Sequence, residues 1–384
     1  MRVGGEWLEN AGTRAVLGCL AAGGHQALAV GGCVRNAALG QPVADVDIAT
    51  DAVPDRVTAL AEAAGLRVVP TGLAHGTVTV VAHGRPLEVT TFRRDVATDG
   101  RHAVVAFSDD IAADAARRDF TINALYADAG GRVIDPLGSG LADLAARRVR
   151  FVGDAHARIA EDYLRILRFF RFHAWYADPA LGIDAEGLAA CAALQDGLDR
   201  LSRERVGAEL LRLLAAPDPA PGMSAMAQAG ILGRLLPGAT ATALAPLVAL
   251  EGDAGAPPDP LRRLAALGGV WDAAEALRLS RADARRLEAL RGAVTGTAAP
   301  GELGYRLGAR AGRDVLLLRA ALAGLPLPDG WRTALEAGAA AQFPVTAADL
   351  MPHLSGPALG ARLRALEDRW IASGFRLTKA QLLA

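Results

Sequence analysis

The pattern of apolar and polar positions changes character near Phe151. Before it, short β-branched runs bounded by Gly, Pro or Asp recur at Gln26–Val30, Val43–Ala49, Leu66–Val69, Thr77–Ala82 and Leu87–Thr91, which predicts strands. Between them, Pro54–Gly65 opens with proline and closes with glycine, the punctuation of a helix. Arg93–Asp114 is polar and irregular around Gly100, which predicts a mobile loop. After Phe151 helical periodicity takes over, interrupted by Pro/Gly-rich joints at Ala216–Gly222, Gly252–Pro260 and Thr295–Gly301. No fixed-period repeat calls for a solenoid. The expectation is an α+β protein, an α/β head followed by an all-helical remainder.

Composition narrows this picture. With 384 residues, 52% hydrophobic and 22% charged, the chain can bury more than one core and is not disordered. Its 41 basic and 42 acidic residues give a net charge of −1, so a nucleic-acid site has to be a local patch. All of the basic residues but Lys379 are arginine. Cys19, Cys33 and Cys191 stand far apart without CxxC spacing, which excludes a zinc ribbon or disulfide framework and makes a reducing cytoplasm the default. No apolar run approaches the roughly 18 residues that span a bilayer, and no membrane association is expected.

Three constellations carry candidate chemistry. In Leu28-Ala-Val-Gly31-Gly32-Cys-Val-Arg35-Asn36 a strand runs into two glycines and a short helix, Val34–Leu39. Backbone N–H groups there form a potential anion site, with Arg35 one turn in; a plain tight turn is the competing reading. GxGxxG and GxxxxGK[ST] spacings are absent. Asp45 and Asp47 lie two apart on a predicted strand, so both carboxylates project from one face. Such a pair suits Mg²⁺, which takes substrate phosphates as further ligands; two solvated aspartates are the alternative. An aspartyl-phosphatase reading of this pair fails because Thr50 falls one position late and no lysine is nearby.

The second constellation is Arg117-Arg118-Asp119-Phe120-Thr-Ile-Asn123. Asp119 reads either as a helix N-cap or, with Arg118, as a contact to phosphate or sugar. The third is a helix over Glu161–Phe172, on which Asp162, Arg165, Arg168 and Arg171 recur every three residues. They form one stripe, with Leu164, Leu167, Phe169, Phe170 and Phe172 on the other faces. A solvated face is the bland interpretation. Only Glu161 and Asp162 are in-helix partners, however, which leaves guanidinium forks suited to phosphate and base edges. Leu201–Leu210 reads as a capped helix start that could brace the stripe.

Taken together, GGxVR at Gly31–Arg35, DxD at Asp45–Asp47, RRDFTINAL at Arg117–Leu125, EDxxRxLRxxRF at Glu161–Phe172 and LSxER at Leu201–Arg205 resemble one family. It comprises the class II tRNA nucleotidyltransferases and bacterial poly(A) polymerases of the polymerase-β superfamily. The tail over Asp349–Trp370 also resembles that of bacterial CCA-adding enzymes. The resemblance implies a nucleotidyltransferase head (residues 1–150), a neck that recognises the base (151–215), a body (216–300) and a tRNA-binding tail (301–384).

By the same resemblance Asp45 and Asp47 would hold Mg²⁺, with Glu88 a candidate third carboxylate. Gly32 and Arg35 would bind the triphosphate, and Arg118 and Asp119 the sugar. Asp162 and Arg165 would read the base, while Arg168 and Arg171 hold the nucleotide. Asn36 stands where the family usually has Asp, which would weaken nucleotide binding through lost orientation of Arg35. The implied reaction is untemplated addition of C and A from CTP and ATP to the tRNA 3′ end, without a protein partner. Poly(A) polymerase, specialised CC- or A-adding enzymes and an inactive tRNA-binding chaperone are the alternatives. The intact carboxylates disfavour the last.

Overall fold

The computed structural model describes residues 1–73, 76–99, 102–269, 272–351 and 354–384. Chain contacts divide it into two compact units, Met1–Glu209 with Gln228–Ile231, and Leu210–Ala227 with Leu232–Ala384.

The first unit is built on a seven-stranded sheet. Its strands are β1 (Ala27–Val30), β2 (Asp47–Thr50), β3 (Arg67–Val69), β4 (Thr77–Ala82), β5 (Arg85–Thr91) and two more introduced below. Alternation explains β4 directly: Val78, Val80 and Ala82 are buried while the residues between them are partly exposed, the mark of a half-covered strand. β1 lies centrally, antiparallel to β2, and β2 runs parallel to β5, with Val30 opposite Asp47 and Asp47 opposite Glu88. The helix predicted from Pro54 runs over Pro54–Ala63, and the one after the glycine pair over Gly32–Ala38.

Several expectations need correction. The strand predicted over Val43–Ala49 begins only at Asp47, so Asp45 stands on the approach to the strand rather than within it. The reason lies next door: β1 ends at Val30, and Gly31 turns away with φ 73°, so Asp45 and Val46 have no ladder partner on β1. The loop predicted over Arg93–Asp114 instead contains a hairpin, β6 (Arg93–Asp99) with β7 (His102–Phe107), and then a helix, Ile111–Ala116. Gly100 and Arg101 lie outside the described residues. Strands β8 (Tyr126–Ala127) and β9 (Val133–Ile134) extend the sheet beyond β1, giving the order β3-β4-β5-β2-β1-β8-β9. At two residues each, they are too short for a periodic signal.

Every described strand precedes Phe151, and helices follow. The helix predicted over Glu161–Phe172 breaks at Asp162, whose backbone is extended (φ −152°, ψ 105°). Ala155–Glu161 precedes the break and Leu164–Tyr176 follows it. The second of these buries Ile166, Leu167, Phe169, Phe170 and Phe172. Phe169 stacks on Phe151 at 5.3 Å, and Phe172 meets Phe120 at 4.9 Å. This apolar side fixes where the three arginines of the helix stand.

The second unit consists, among the described residues, of helices. Pro300–Ala323 lies against Trp331–Ala340 so closely that a Cβ on Gly338 would run into the Gly301 carbonyl. Nearer the C-terminus, Val345, Leu350, Leu366, Trp370 and Leu382 form a cluster of buried apolar residues. Among the described residues no helix is long and apolar enough to cross a membrane, and the three cysteines are unpaired.

Candidate active site

The acidic part of the site follows from strand register. Directly opposed residues of parallel strands project to the same face, so Asp47 on β2 and Glu88 on β5 share one. A cavity of about 560 Å³ opens there, lined by Asp45, Asp47, Glu88, Thr79, Thr13 and Arg85 among others. The chain crowding Asp47 and the Glu88 carboxylate push its pKa up; Arg118 pulls it back and Asp45 adds to the rise. Mutual repulsion of this kind is relieved by a cation. Among the described residues no three His, Cys, Asp or Glu side chains form a ready metal cage. The donor set fits Mg²⁺ nonetheless, because that ion binds through one or two carboxylates plus waters and substrate phosphates.

Beside the carboxylates stands the glycine turn. Gly31 adopts φ 73° and ψ −118°, a region that L-residues with side chains rarely occupy. Two guanidinium groups converge on it. An added Cβ on Gly31 would lie 3.4 Å from Arg118 Nη1, and one on Gly32 would lie 3.7 Å from Arg35 Nη2. The glycines thus leave room for a ligand's approach. Arg118 is fixed from behind, its Nη2 donating to Asp114 at 3.0 Å and its Nε to the Tyr126 hydroxyl at 3.1 Å. That hydroxyl donates to Asp114 at 2.7 Å.

Arg35 is buried. Its Nε and Nη2 donate to the Asn36 side-chain oxygen at 3.1 and 2.9 Å, Nη2 also to the Tyr176 hydroxyl at 2.8 Å, and Nη1 to the Asn123 side-chain oxygen. The guanidinium lies 4.0 Å from the centre of the Tyr176 ring. Burial pulls its pKa below the ordinary arginine value. Asn36 therefore does orient Arg35 through its neutral oxygen, while its amide nitrogen donates to the Pro42 carbonyl at 3.0 Å.

Asp119 is not a helix N-cap. Its Oδ1 accepts from the Phe120 N–H at 2.8 Å and the Asn123 amide at 2.9 Å, and its Oδ2 accepts from Nε (2.8 Å) and Nη2 of Arg168. Four donors fill a carboxylate's capacity. Burial alone would raise the Asp119 pKa, but Arg168 and the other donors hold it below the usual carboxylate range.

The expectation of open forks along the arginine stripe is corrected in the same way. Arg165 Nη1 donates to Glu161 (2.6 Å) and the Arg158 carbonyl (2.8 Å), and Nη2 to the Arg117 carbonyl (3.1 Å). Arg171 pairs with Glu209 at 2.5 Å. Asp162 accepts from the Leu164 N–H at 3.1 Å and from Arg205 at 2.6 Å. The partners come from other elements, which a count along one helix misses. The brace expected from Leu201–Leu210 exists, through Arg205 and Glu209. Asn123, Tyr176 and Asp114 were not singled out from sequence. Asn123 lies within the run Arg117–Leu125, but only the fold brings Tyr176 to Arg35.

Residues 27–150 match the family described as "Poly A polymerase head domain", and residues 181–242 match "Probable RNA and SrmB- binding site of polymerase A". The chain is 44% identical over 191 residues to the mouse CCA tRNA nucleotidyltransferase 1, mitochondrial, covering 50% of this chain and 44% of that protein. It is 42% identical over 220 residues to the CCA-adding enzyme of Levilactobacillus brevis, covering 57% and 53%. It thus spans about half the length of these curated relatives. Among solved structures it is similar to the Bacillus stearothermophilus CCA-adding enzyme in complex with CTP (TM-score 0.71, 28% identity, 94% and 92% of the two chains). The fold of the Thermotoga maritima CCA-adding enzyme complexed with tRNA is also similar (TM-score 0.72, 19% identity, 99% and 95%).

Proposed function

We propose that the chain is a class II tRNA nucleotidyltransferase, a reading supported by its similarity to the poly A polymerase head domain and to CCA-adding enzymes, and that it adds C and A to the 3′ end of tRNA. The nucleotides come from CTP and ATP without a template, and pyrophosphate leaves. The observation that carries this reading is the meeting of Asp47 and Glu88, in register on adjacent strands, with a glycine turn faced by Arg35 and Arg118. Carboxylates for a divalent ion and guanidinium groups for polyphosphate then stand side by side.

Asp45 and Asp47 are the metal ligands in this proposal, with Glu88 the third acidic neighbour. When bound there, Mg²⁺ would lower the pKa of the tRNA 3′-hydroxyl and neutralise charge on the leaving pyrophosphate. The chain's own residues supply position. Gly32 and Arg35 face the triphosphate. Arg118 contacts the sugar, and Asp119 acts through Arg168, since its own oxygens are already occupied. Arg168 and Arg171 hold the nucleotide from the helix Leu164–Tyr176. Asp162 and the remaining N–H groups of Arg165 read the base: C and A each present an amino donor beside a ring-nitrogen acceptor, which a carboxylate and a guanidinium complement. The neck, body and tail divisions at residues 151, 216 and 301 and a cytoplasmic setting belong to the same proposal. The unpaired cysteines support that setting.

The test is to incubate the protein and Mg²⁺ with a tRNA lacking its 3′ CCA, supplying CTP and ATP separately and together. Addition of two C residues with CTP and of CCA with both is expected. Long A tracts from ATP alone would favour poly(A) polymerase, and no extension under any condition would overturn the reading.

A further inference from the structure

Arg35 is unusual among the arginines of its unit in what surrounds it. It is 6% exposed, yet its three hydrogen-bonding partners, Asn36, Asn123 and Tyr176, are all neutral. Among the described residues no carboxylate pairs with it. The charged groups that face it are already matched: Asp119 by Arg168, and Arg171 by Glu209. Burying a cation is normally costly unless it is paired. Here the guanidinium is oriented by dipoles and by the Tyr176 ring face instead, which hold its geometry without cancelling its charge. Its Nη2 is also the atom that approaches Gly32.

We infer that Asn36, Asn123 and Tyr176 form a neutral clamp that positions Arg35 and keeps its positive charge uncompensated, so that the charge is neutralised by the phosphates of the bound nucleotide. This rests on the nucleotidyltransferase reading and deepens it: Asn36, Asn123 and Tyr176 are positioning residues for the polyphosphate. It also reverses the expectation from sequence that Asn36 weakens nucleotide binding. A carboxylate at position 36 would hold Arg35 equally well but would cancel its field and lose the donor to the Pro42 carbonyl.

The test compares binding of CTP, CMP and cytidine to the wild-type chain and to Asn36→Asp, by calorimetric titration. A single added charge near the phosphates should weaken CTP by about 10- to 30-fold, CMP by less and cytidine not at all. A lesion that merely disturbs packing would weaken all three by one factor, and that result, or unchanged CTP affinity, overturns the clamp. If Asn36→Asp fails to fold, Tyr176→Phe keeps the inference testable; Asn123→Asp would not, because the Asn123 amide also donates to Asp119 and a carboxylate there would repel it. Tyr176→Phe removes only one acceptor and should cost CTP about two- to fivefold. Wild-type protein that binds neither CTP nor ATP would instead overturn the nucleotidyltransferase reading itself.

Discussion

Two regions of the molecule bury arginine to opposite ends. Around Arg35 the partners are amides and a phenol, and the charge is left open. In the helical second unit Arg262 and Arg263, each 1% exposed, are both paired with carboxylates and have backbone carbonyls on other N–H groups. Both oxygens of Glu251 are used, one by Arg262 (2.9 and 2.7 Å) and the other by Arg263 (3.0 and 2.7 Å). Asp314 takes Arg262 Nη1 at 2.7 Å, and the carbonyls of Leu214, Ala216 and Pro217 take the remaining N–H groups of Arg263. This cluster ties Leu214–Pro217 to the helices carrying Glu251, Arg262 and Asp314. Composition alone cannot separate the two uses, since nearly every basic residue is arginine. Compensation separates them: a guanidinium whose charge is cancelled on the spot is a structural fastener, and one whose charge is left open is available to a ligand.

The sharpest way to break this contrast is to remove an open charge and a closed one. Asp47 has no ion pair among the described residues and is pushed up in pKa by crowding and by Glu88. Asp47→Ala should therefore abolish nucleotide transfer, by about 10³-fold or more, while leaving unfolding midpoints unchanged or slightly raised through relieved repulsion. Single-turnover extension and urea denaturation on the same preparation check both halves. Retention of a tenth of the wild-type rate would remove Asp47 from the metal site.

Glu251→Ala is the converse. It strands two arginines in the interior of the second unit, and breaking a buried pair costs about 3–5 kcal/mol. The loss should appear as a lower denaturation midpoint for the helical unit. Glu251→Gln keeps the shape and half of the acceptors and should recover part of that loss. A Glu251→Ala protein as stable as wild type would mean that the cluster fastens nothing.

The extent to which these features are legible in sequence follows the range of the interactions involved. Strand β4 and the helix Pro54–Ala63 are readable because alternation and Pro/Gly punctuation are local. Asp45, Asp47, Gly32 and Arg35 are readable as types at a spacing. What each arginine touches is not: Arg168 finds Asp119 across 49 positions, and Arg35 finds Tyr176 across 141. The strand ending that leaves Asp45 outside β2 depends on where β1 turns, again a property of the neighbour. In the hairpin β6–β7 only β6, Arg-Arg-Asp-Val-Ala-Thr-Asp, is masked by its charged and polar residues; β7, His-Ala-Val-Val-Ala-Phe, is a legible β-branched run inside a stretch that reads as a loop.

A third way of keeping a cation sharpens the comparison with the smallest effect. His173, on the helix Leu164–Tyr176, is 8% exposed, and burial lowers its pKa from the ordinary value of 6.5. Here the interior neither pairs the charge nor leaves it open; it keeps the ring neutral. Since the folded pKa lies below the unfolded one, the unfolded chain takes up the proton first as pH falls. The neutral ring's contribution is thus fully present above about pH 6.5 and is lost as the pH drops toward the folded pKa, with a slope of at most about 1.4 kcal/mol per pH unit. Urea denaturation of wild type and His173→Leu between about pH 7.5 and pH 5 isolates it, because the other six histidines are present in both proteins. The wild type should lose stability faster on acidification than the variant. Parallel curves would mean that His173 takes up its proton as readily in the folded chain as in the unfolded one, and that this interior tolerates an unmatched cation at a second place besides Arg35.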